Sequence, residues 1–134
     1  MTPAQIQIIQ DTFPLVQEAG GAMTQLFYGR LFQTAPGLRP LFRGDINIQA
    51  RKFSEMLNGL VDGLPDLEQQ APALRAMGLR HEGYGVRPEH YQVVAQALLW
   101  ALAQAIEPEF THAAKAAWTA LIFEVAAMMQ VNAK

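Results

Sequence analysis

The chain of 134 residues contains no cysteine. This absence excludes disulfide bonds, a thiolate nucleophile, cysteine-ligated zinc, iron–sulfur clusters and covalently attached c-type haem. Long apolar runs are also missing. The most apolar stretch, residues 93–106, is interrupted by Gln96 and Gln104 and falls short of the roughly 20 residues of a membrane span. Residues 1–10 lack the basic and apolar regions of a signal peptide, so we expect a soluble, cytoplasmic protein.

An excess of charge of one sign is missing as well. The 10 Lys and Arg residues nearly balance the 12 Asp and Glu residues, and the basic residues are scattered along the chain. Such a distribution provides no basic patch for nucleic acid or for an anionic membrane, so neither is an expected partner. Without linkers or repeats, residues 1–134 are expected to form a single domain, large enough to bury a hydrophobic core.

The apolar residues that are present recur at helical spacing, and this period predicts an all-α fold. Thr2, Pro3 and Gln5 are typical of a capped helix start, and Gly20-Gly21 should end that first helix. Pro14 removes a backbone donor and predicts a kink. Further helices are predicted from residue 21, in a short turn at 36–40, at about 48–62 after a loop at 44–45, at about 72–82, from 88 to before 108, and beyond 108.

Three polar side chains, Tyr28, Gln49 and His81, lie on helix faces that are otherwise apolar. Each alone is consistent with a hydrogen-bonded core residue, but three of them on three helices indicate a shared cavity. His90 and His112 fall in the first turns of their helices, where a neutral packing role or a solvated position is expected. HExxH spacing, a glycine-rich phosphate loop and GxSxG do not occur, so one inward histidine favours a metal already held in a macrocycle.

Five segments, in their order and spacing, resemble bacterial single-domain haemoglobins and the haem domain of flavohaemoglobins, a branch of the globins. The segments are FYGRLFQTAPGLRPLF, QARKF, LRHEGYGV, EHYQVV and AKAAWT. The resemblance extends from Gln5 to about Met129. It implies a globin fold, in which layered helices surround a pocket for haem b.

The resemblance also implies roles for individual residues. The proximal iron ligand falls on His81, and the distal pair that stabilises bound O₂ falls on Tyr28 and Gln49. Phe42 occupies the place of a phenylalanine that stacks on the haem face. Lys52 is a candidate for a haem propionate, with a solvated charge as the alternative. The residues expected to contact the haem are Phe42, Lys52, Phe53, Leu57, Met77, Val86 and Tyr91.

The function implied by this resemblance is reversible binding of O₂, and also of CO and NO, at a five-coordinate iron, for O₂ binding, storage or delivery. The alternative is an enzyme that converts NO to nitrate. That reaction leaves ferric haem, so it would require a separate flavin reductase. A gas sensor is a third class, although sensors usually carry an output domain, and a haem-free helical bundle is the fourth. Both a monomer and a homodimer are compatible with the sequence.

Two positions depart from the family pattern. Phe53 stands where the family usually has a smaller aliphatic residue, so its ring could narrow the ligand pocket or displace Gln49. Ala133 stands where flavohaemoglobins have a glutamate that hydrogen-bonds with the proximal histidine and tyrosine. Without that carboxylate, we expect a less electron-rich imidazole. We also expect no flavin or nicotinamide domain in this protein.

Overall fold

The computed structural model describes residues 1–42 and 44–130, and within these ranges it contains helices and no strands. The all-α prediction is therefore confirmed. None of the helices in these ranges is long and apolar enough to cross a membrane. Ala133 lies outside the described residues. The helices are α1 (Pro3–Ala19), α2 (Gly21–Thr34), α3 (Ile46–Asp62), α4 (Ala71–Gly83), α5 (Pro88–Ile106) and α6 (His112–Met129), with 3₁₀ helices at Pro36–Leu41 and Leu64–Gln70.

The start of α1 has the predicted capping box. The Gln5 backbone N–H donates to the Thr2 hydroxyl at 3.1 Å, and the Thr2 N–H donates to the Gln5 side chain at 3.0 Å. These reciprocal bonds satisfy two backbone donors that a helix end leaves without partners. The helix continues through Pro14 and ends at Gly20, whose φ of 56° suits glycine.

The predicted start of α3 was wrong by two residues, because Asp45 is a helix cap rather than part of a loop. Its side chain accepts a hydrogen bond from the Asn47 N–H at 2.8 Å, so the helix begins at Ile46. The predicted break after Gly63 is a 3₁₀ helix, Leu64–Gln70, and α4 follows it directly. Both differences lie at element ends.

The core lies where α5 and α6 pack against α1, α2 and each other. Trp118 on α6 is fully buried, and its indole N–H donates to the Thr12 hydroxyl of α1 at 2.9 Å. A buried polar group with a partner costs little, so this bond fixes α1 against α6 without a desolvation penalty. The other large side chains that are fully buried are Ile9, Leu31, Leu64, Leu102 and Leu121.

The end of α6 also sets the position of α4, the helix that carries His81. The two helices approach so closely that a Cβ atom on Gly78 would collide with the backbone carbonyl of Met129. Glycine is the residue that permits such an approach of two backbones. The placement of His81 therefore depends on a contact that α4 makes three residues earlier in the same helix.

Candidate functional site

One side of the candidate site is an aromatic cluster around Tyr28, which lies in α2 and is 7% exposed. The centroid of its ring lies 4.8 Å from that of Phe27, 6.0 Å from that of Phe32 and 5.6 Å from that of Phe42. The contact with Phe42 is edge to face, an arrangement that aromatic quadrupoles favour. Tyr28 is therefore held between its own helix and the corner that precedes α3.

The Tyr28 hydroxyl is the polar group of this cluster. Burial raises the pKa of Tyr28 to about 12, because the phenolate would lose its hydration. Among the described residues no hydrogen bond from this hydroxyl is found, and no fully buried polar side-chain atom lacks a partner, so the rings do not seal off the hydroxyl oxygen. At neutral pH the side chain is thus a neutral O–H donor in an apolar setting, the form that can donate to a ligand.

The corner is formed by the 3₁₀ helix Pro36–Leu41, hereafter the corner helix, which ends at Phe42. Phe42 is half-buried, and its ring meets Phe32 edge to face with 5.2 Å between centroids. Its backbone N–H donates to the Arg39 carbonyl at 3.1 Å, and its carbonyl accepts from the Arg39 guanidinium at 2.9 Å. Phe42 is therefore anchored through both its ring and its backbone.

Helix α3 supplies four of the predicted residues. Gln49 is half-buried in the first turn, Lys52 is exposed, and Leu57 is buried in the core. The ring of Phe53 stacks on Phe27, with 5.2 Å between centroids and 21° between planes. The extra aromatic ring at position 53 therefore extends the cluster around Tyr28 by way of Phe27.

The opposite side of the candidate site is the last turn of α4. His81 is half-buried, and its Nδ1 lies 2.8 Å from the Met77 carbonyl, one helical turn earlier. A carbonyl oxygen can only accept, so Nδ1 carries the proton and the neutral ring keeps the lone pair on Nε2. The Val86 N–H donates to the His81 carbonyl at 3.0 Å and ties the following loop to the same turn. His81 is thus prepared as a nitrogen ligand.

An open cavity of about 310 Å³ lies behind this turn and contains two of the predicted residues, Val86 and Tyr91. Burial raises the pKa of Tyr91, and the negative charge of Glu82 raises it further. The remaining lining residues are Gly78, Glu82, Gly85, Arg87 and Pro88. The proximal side of the site therefore has a tyrosine hydroxyl and a carboxylate within electrostatic reach of each other.

The two sides are brought together where the loop after α4 meets the corner helix. Gly85 has a φ of 99°, and a Cβ atom placed on it would lie 3.3 Å from Leu41. Leu41 immediately precedes Phe42, and Gly85 immediately precedes Val86. The loop that follows His81 thus contacts the corner that packs against Tyr28.

The other two histidines lie where the sequence predicts. The Arg87 N–H donates to Nδ1 of His90 at 3.0 Å in the first turn of α5, so this ring is a neutral helix cap. His112 is exposed at the start of α6. Neither is available as a second inward ligand. In the described part of the chain, no group of three or more His, Cys, Asp or Glu residues could hold a metal ion directly.

Sequence reasoning missed some residues that shape the site. Arg39 and Glu82 were given no role in the site, although they lie close in sequence to the predicted residues Phe42 and His81. An i to i+3 spacing in a proline-bounded turn could have indicated the contact between Arg39 and Phe42. The close approach of Gly78 to α6 had no signal in the sequence, because it depends on how two distant helices cross.

Helices that carry buried or half-buried polar side chains on apolar faces define an all-α protein with a candidate ligand site, and comparison with known proteins gives its family. The family model described as Globin matches residues 25–129. The chain belongs to the globin family. A flavohemoprotein of Vibrio cholerae serotype O1 is 32% identical over 129 residues, which cover 94% of this chain and 33% of that protein. An uncharacterized globin-like protein of Aquifex aeolicus is 30% identical over 103 residues, which cover 77% of this chain and 74% of that protein.

Solved structures agree with this assignment. A bacterial globin from Campylobacter jejuni has a TM-score of 0.83 at 27% identity, and the match covers 96% of this chain and 93% of that one. An engineered carbene transferase from Rhodothermus marinus has a TM-score of 0.86 at 23% identity over 96% of this chain and 90% of that one, which supports the fold alone. The chain spans about a third of the length of the Vibrio flavohemoprotein.

Membership of the globin family implies haem binding, and the residues present fit that group. His81 offers a single oriented nitrogen, which suffices for an iron already held by four macrocycle nitrogens. Tyr28 offers a neutral hydroxyl on a buried ring. Phe42, Met77 and Val86 are half-buried apolar side chains. This combination of one ligand, one donor and incompletely buried apolar surface suits a flat apolar cofactor.

Proposed function

We propose that this globin holds haem b and reversibly binds O₂, as well as CO and NO, for O₂ binding, storage or delivery. The observation that carries the proposal is the neutral hydroxyl of Tyr28, whose ring is buried in an aromatic cluster. A neutral O–H donor in an apolar setting stabilises a ligand atom that can accept from it. The absence of cysteine supports a haem that is not covalently attached, such as haem b, since covalent attachment of the c type requires thioether bonds.

In this proposal His81 holds the iron through Nε2, and the Met77 carbonyl fixes both its tautomer and its ring orientation. When bound, the haem supplies an iron with one position open to a diatomic gas. Phe42 packs on the macrocycle, and the other proposed contacts are made by Phe53, Leu57, Met77, Val86 and Tyr91. Lys52 is exposed, which agrees both with a propionate contact and with a solvated charge.

Tyr28 and Gln49 are the proposed donors to the gas. O₂ accepts electron density on binding and so benefits from a donor, whereas CO is less polarised and benefits less. Tyr28 is held on three sides by Phe27, Phe32 and Phe42, so its hydroxyl loses little freedom when it donates. The Gln49 side chain has more rotatable bonds than that of Tyr28, so fixing its amide in the position to donate costs more conformational entropy.

The second candidate function is dioxygenation of NO to nitrate with an external flavin reductase. It is supported by the flavohemoprotein relatives, which share this globin part and are about three times as long. Tyr28 would play the same role in both functions, by stabilising polarised oxygen. The two functions therefore differ in the supply of electrons rather than in the residues of the site.

A spectroscopic cycle tests the proposal. The protein is loaded with haem b, reduced, exposed to air and then flushed with argon while absorption is recorded. We expect the ferrous spectrum to change with O₂ and to return on flushing through several cycles. Immediate conversion to the ferric form, or no response to O₂, would contradict reversible binding.

Addition of NO to the oxygenated protein separates the two functions. Stoichiometric nitrate that stops after one turnover is expected for an O₂-binding protein without a reductase. Sustained nitrate formation on adding a purified flavin reductase with NADH would favour the enzyme. Bovine serum albumin loaded with the same haem serves as the control for reactions of unprotected haem.

A further inference from the structure

Arg39 is an exposed residue that binds both backbone polar groups of Phe42. Its carbonyl accepts from the Phe42 N–H at 3.1 Å, and its Nη1 donates to the Phe42 carbonyl at 2.9 Å. No backbone N–H among the described residues donates to that carbonyl, because Phe42 lies beyond the last turn of the corner helix. The guanidinium thus replaces the backbone partner that a continuing helix would have provided.

The same guanidinium also contacts the ring against which Phe42 packs. Its Cζ lies 5.1 Å from the centroid of Phe32, within the range of a cation–π interaction. Phe32 in turn meets Phe42 edge to face at 5.2 Å. Arg39 is therefore in contact with Phe42 directly and through Phe32, and the three residues form a closed set.

No carboxylate in the described ranges forms an ion pair with Arg39 that would compete with its contacts to Phe42 and Phe32. The backbone of this corner is irregular, because Gly44 has a φ of 82° and Phe42 itself has a non-helical backbone. A side-chain hydrogen bond therefore helps to hold Phe42 in place. A planar fork that donates to a carbonyl while stacking on a ring is a property of arginine and not of lysine.

We propose that Arg39 is a positioning residue, which clamps Phe42 in the place from which it contacts Tyr28 and covers the haem. This inference rests on the proposed haem function. Because Phe42 touches Tyr28 at 5.6 Å between centroids, a loosened corner would alter both haem retention and the direction of the Tyr28 hydroxyl. Arg39 acts on the haem through Phe42 and not by contact.

The test compares Arg39→Gln and Arg39→Lys with Arg30→Gln. Arg30 is a matched control, because its guanidinium also covers a ring, that of Trp100 at 4.8 Å, and this pair lies apart from the contacts of Phe42 with Phe32, Tyr28 and Arg39. Haem loss from the ferric protein to excess apomyoglobin should be about 3- to 10-fold faster in Arg39→Gln, as expected for the loss of one charge-assisted hydrogen bond. Arg39→Lys should recover part of this difference, and Arg30→Gln should match the parent protein.

Two further readouts separate positioning from general stability. The C–O stretching frequency of the CO form should shift in Arg39→Gln, since it reports the field of the Tyr28 hydroxyl, and stay unchanged in Arg30→Gln. Amide hydrogen exchange at Phe42, measured without added haem, should be faster in Arg39→Gln alone. Parent-like haem loss, stretching frequency and exchange in both Arg39 variants would overturn the clamp. A parent protein that binds no haem would overturn the proposed function, while exchange at Phe42 would still decide whether Arg39 positions the corner.

Discussion

His81 donates from Nδ1 to the carbonyl of Met77, 2.8 Å away and one turn earlier on the same helix. This bond fixes the ring in one tautomer and one rotation, and it leaves Nε2 as the base. An unconstrained imidazole would divide its population between two tautomers and several rotamers. The orientation of the ring is therefore set within α4 before any metal binds, three residues beyond the contact of Gly78 with α6.

Replacement of Tyr28 by phenylalanine tests the proposed distal donor. We expect O₂ release to become about 2- to 10-fold faster, which corresponds to one hydrogen bond of about 0.5–1.5 kcal/mol. Gln49→Ala should have a smaller effect, because the Tyr28 ring is held by three neighbouring rings. Stopped-flow displacement of O₂ by CO measures both rates. Equal or reversed effects of the two substitutions would exclude Tyr28 as the main donor.

The pKa of Tyr28 predicts a pH dependence of stability. Its pKa is about 12 in the folded protein and about 10 in an unfolded chain, so the unfolded state loses this proton first as the pH rises. The contribution of Tyr28 is complete below pH 10 and falls between about pH 10 and 12. Urea unfolding across this range should show a smaller decline for Tyr28→Phe than for the parent protein. Tyr84→Phe, which alters an exposed ring, should decline as the parent does.

Gly78→Ala tests the crossing of α4 and α6. The added methyl group would collide with the Met129 carbonyl, and we expect a loss of about 1–3 kcal/mol in the free energy of unfolding, as for other overpacked sites. Gly59→Ala is the control, because it lies in α3 with no atom within 4 Å of the added Cβ. This control should gain up to about 1 kcal/mol from helix propensity. Urea titration of both variants measures the difference, and a stable Gly78→Ala protein would contradict the crossing.

The helices of this fold were predictable where residues close in sequence mark their ends. Thr2 and Gln5 define the start of α1, and Gly20 defines its end, with no need for information from distant residues. The beginning of α3 was placed wrongly because Asp45 can either cap a helix or open a loop, and the tertiary position of the corner decides between them.

The candidate site was predictable in its residue types but not in its geometry. The apolar faces around Tyr28 and His81 placed both side chains inward, and both are buried or half-buried. The bond from His81 to the Met77 carbonyl and the stacking of Phe53 on Phe27 depend on rotamers and helix crossings, which no sequence period encodes. The clamp from Arg39 to Phe42 likewise appears only when the corner is folded.

The central claim is that His81 binds the haem iron, and the absorption spectrum of His81→Ala tests it most directly. The parent protein, supplied with haem b and reduced, should give the spectrum of a five-coordinate ferrous haem with one histidine. The variant should lose most of its haem or recover that spectrum only when imidazole is added. Normal haem affinity and an unchanged ferrous spectrum in His81→Ala, without imidazole, would mean that another residue is the ligand.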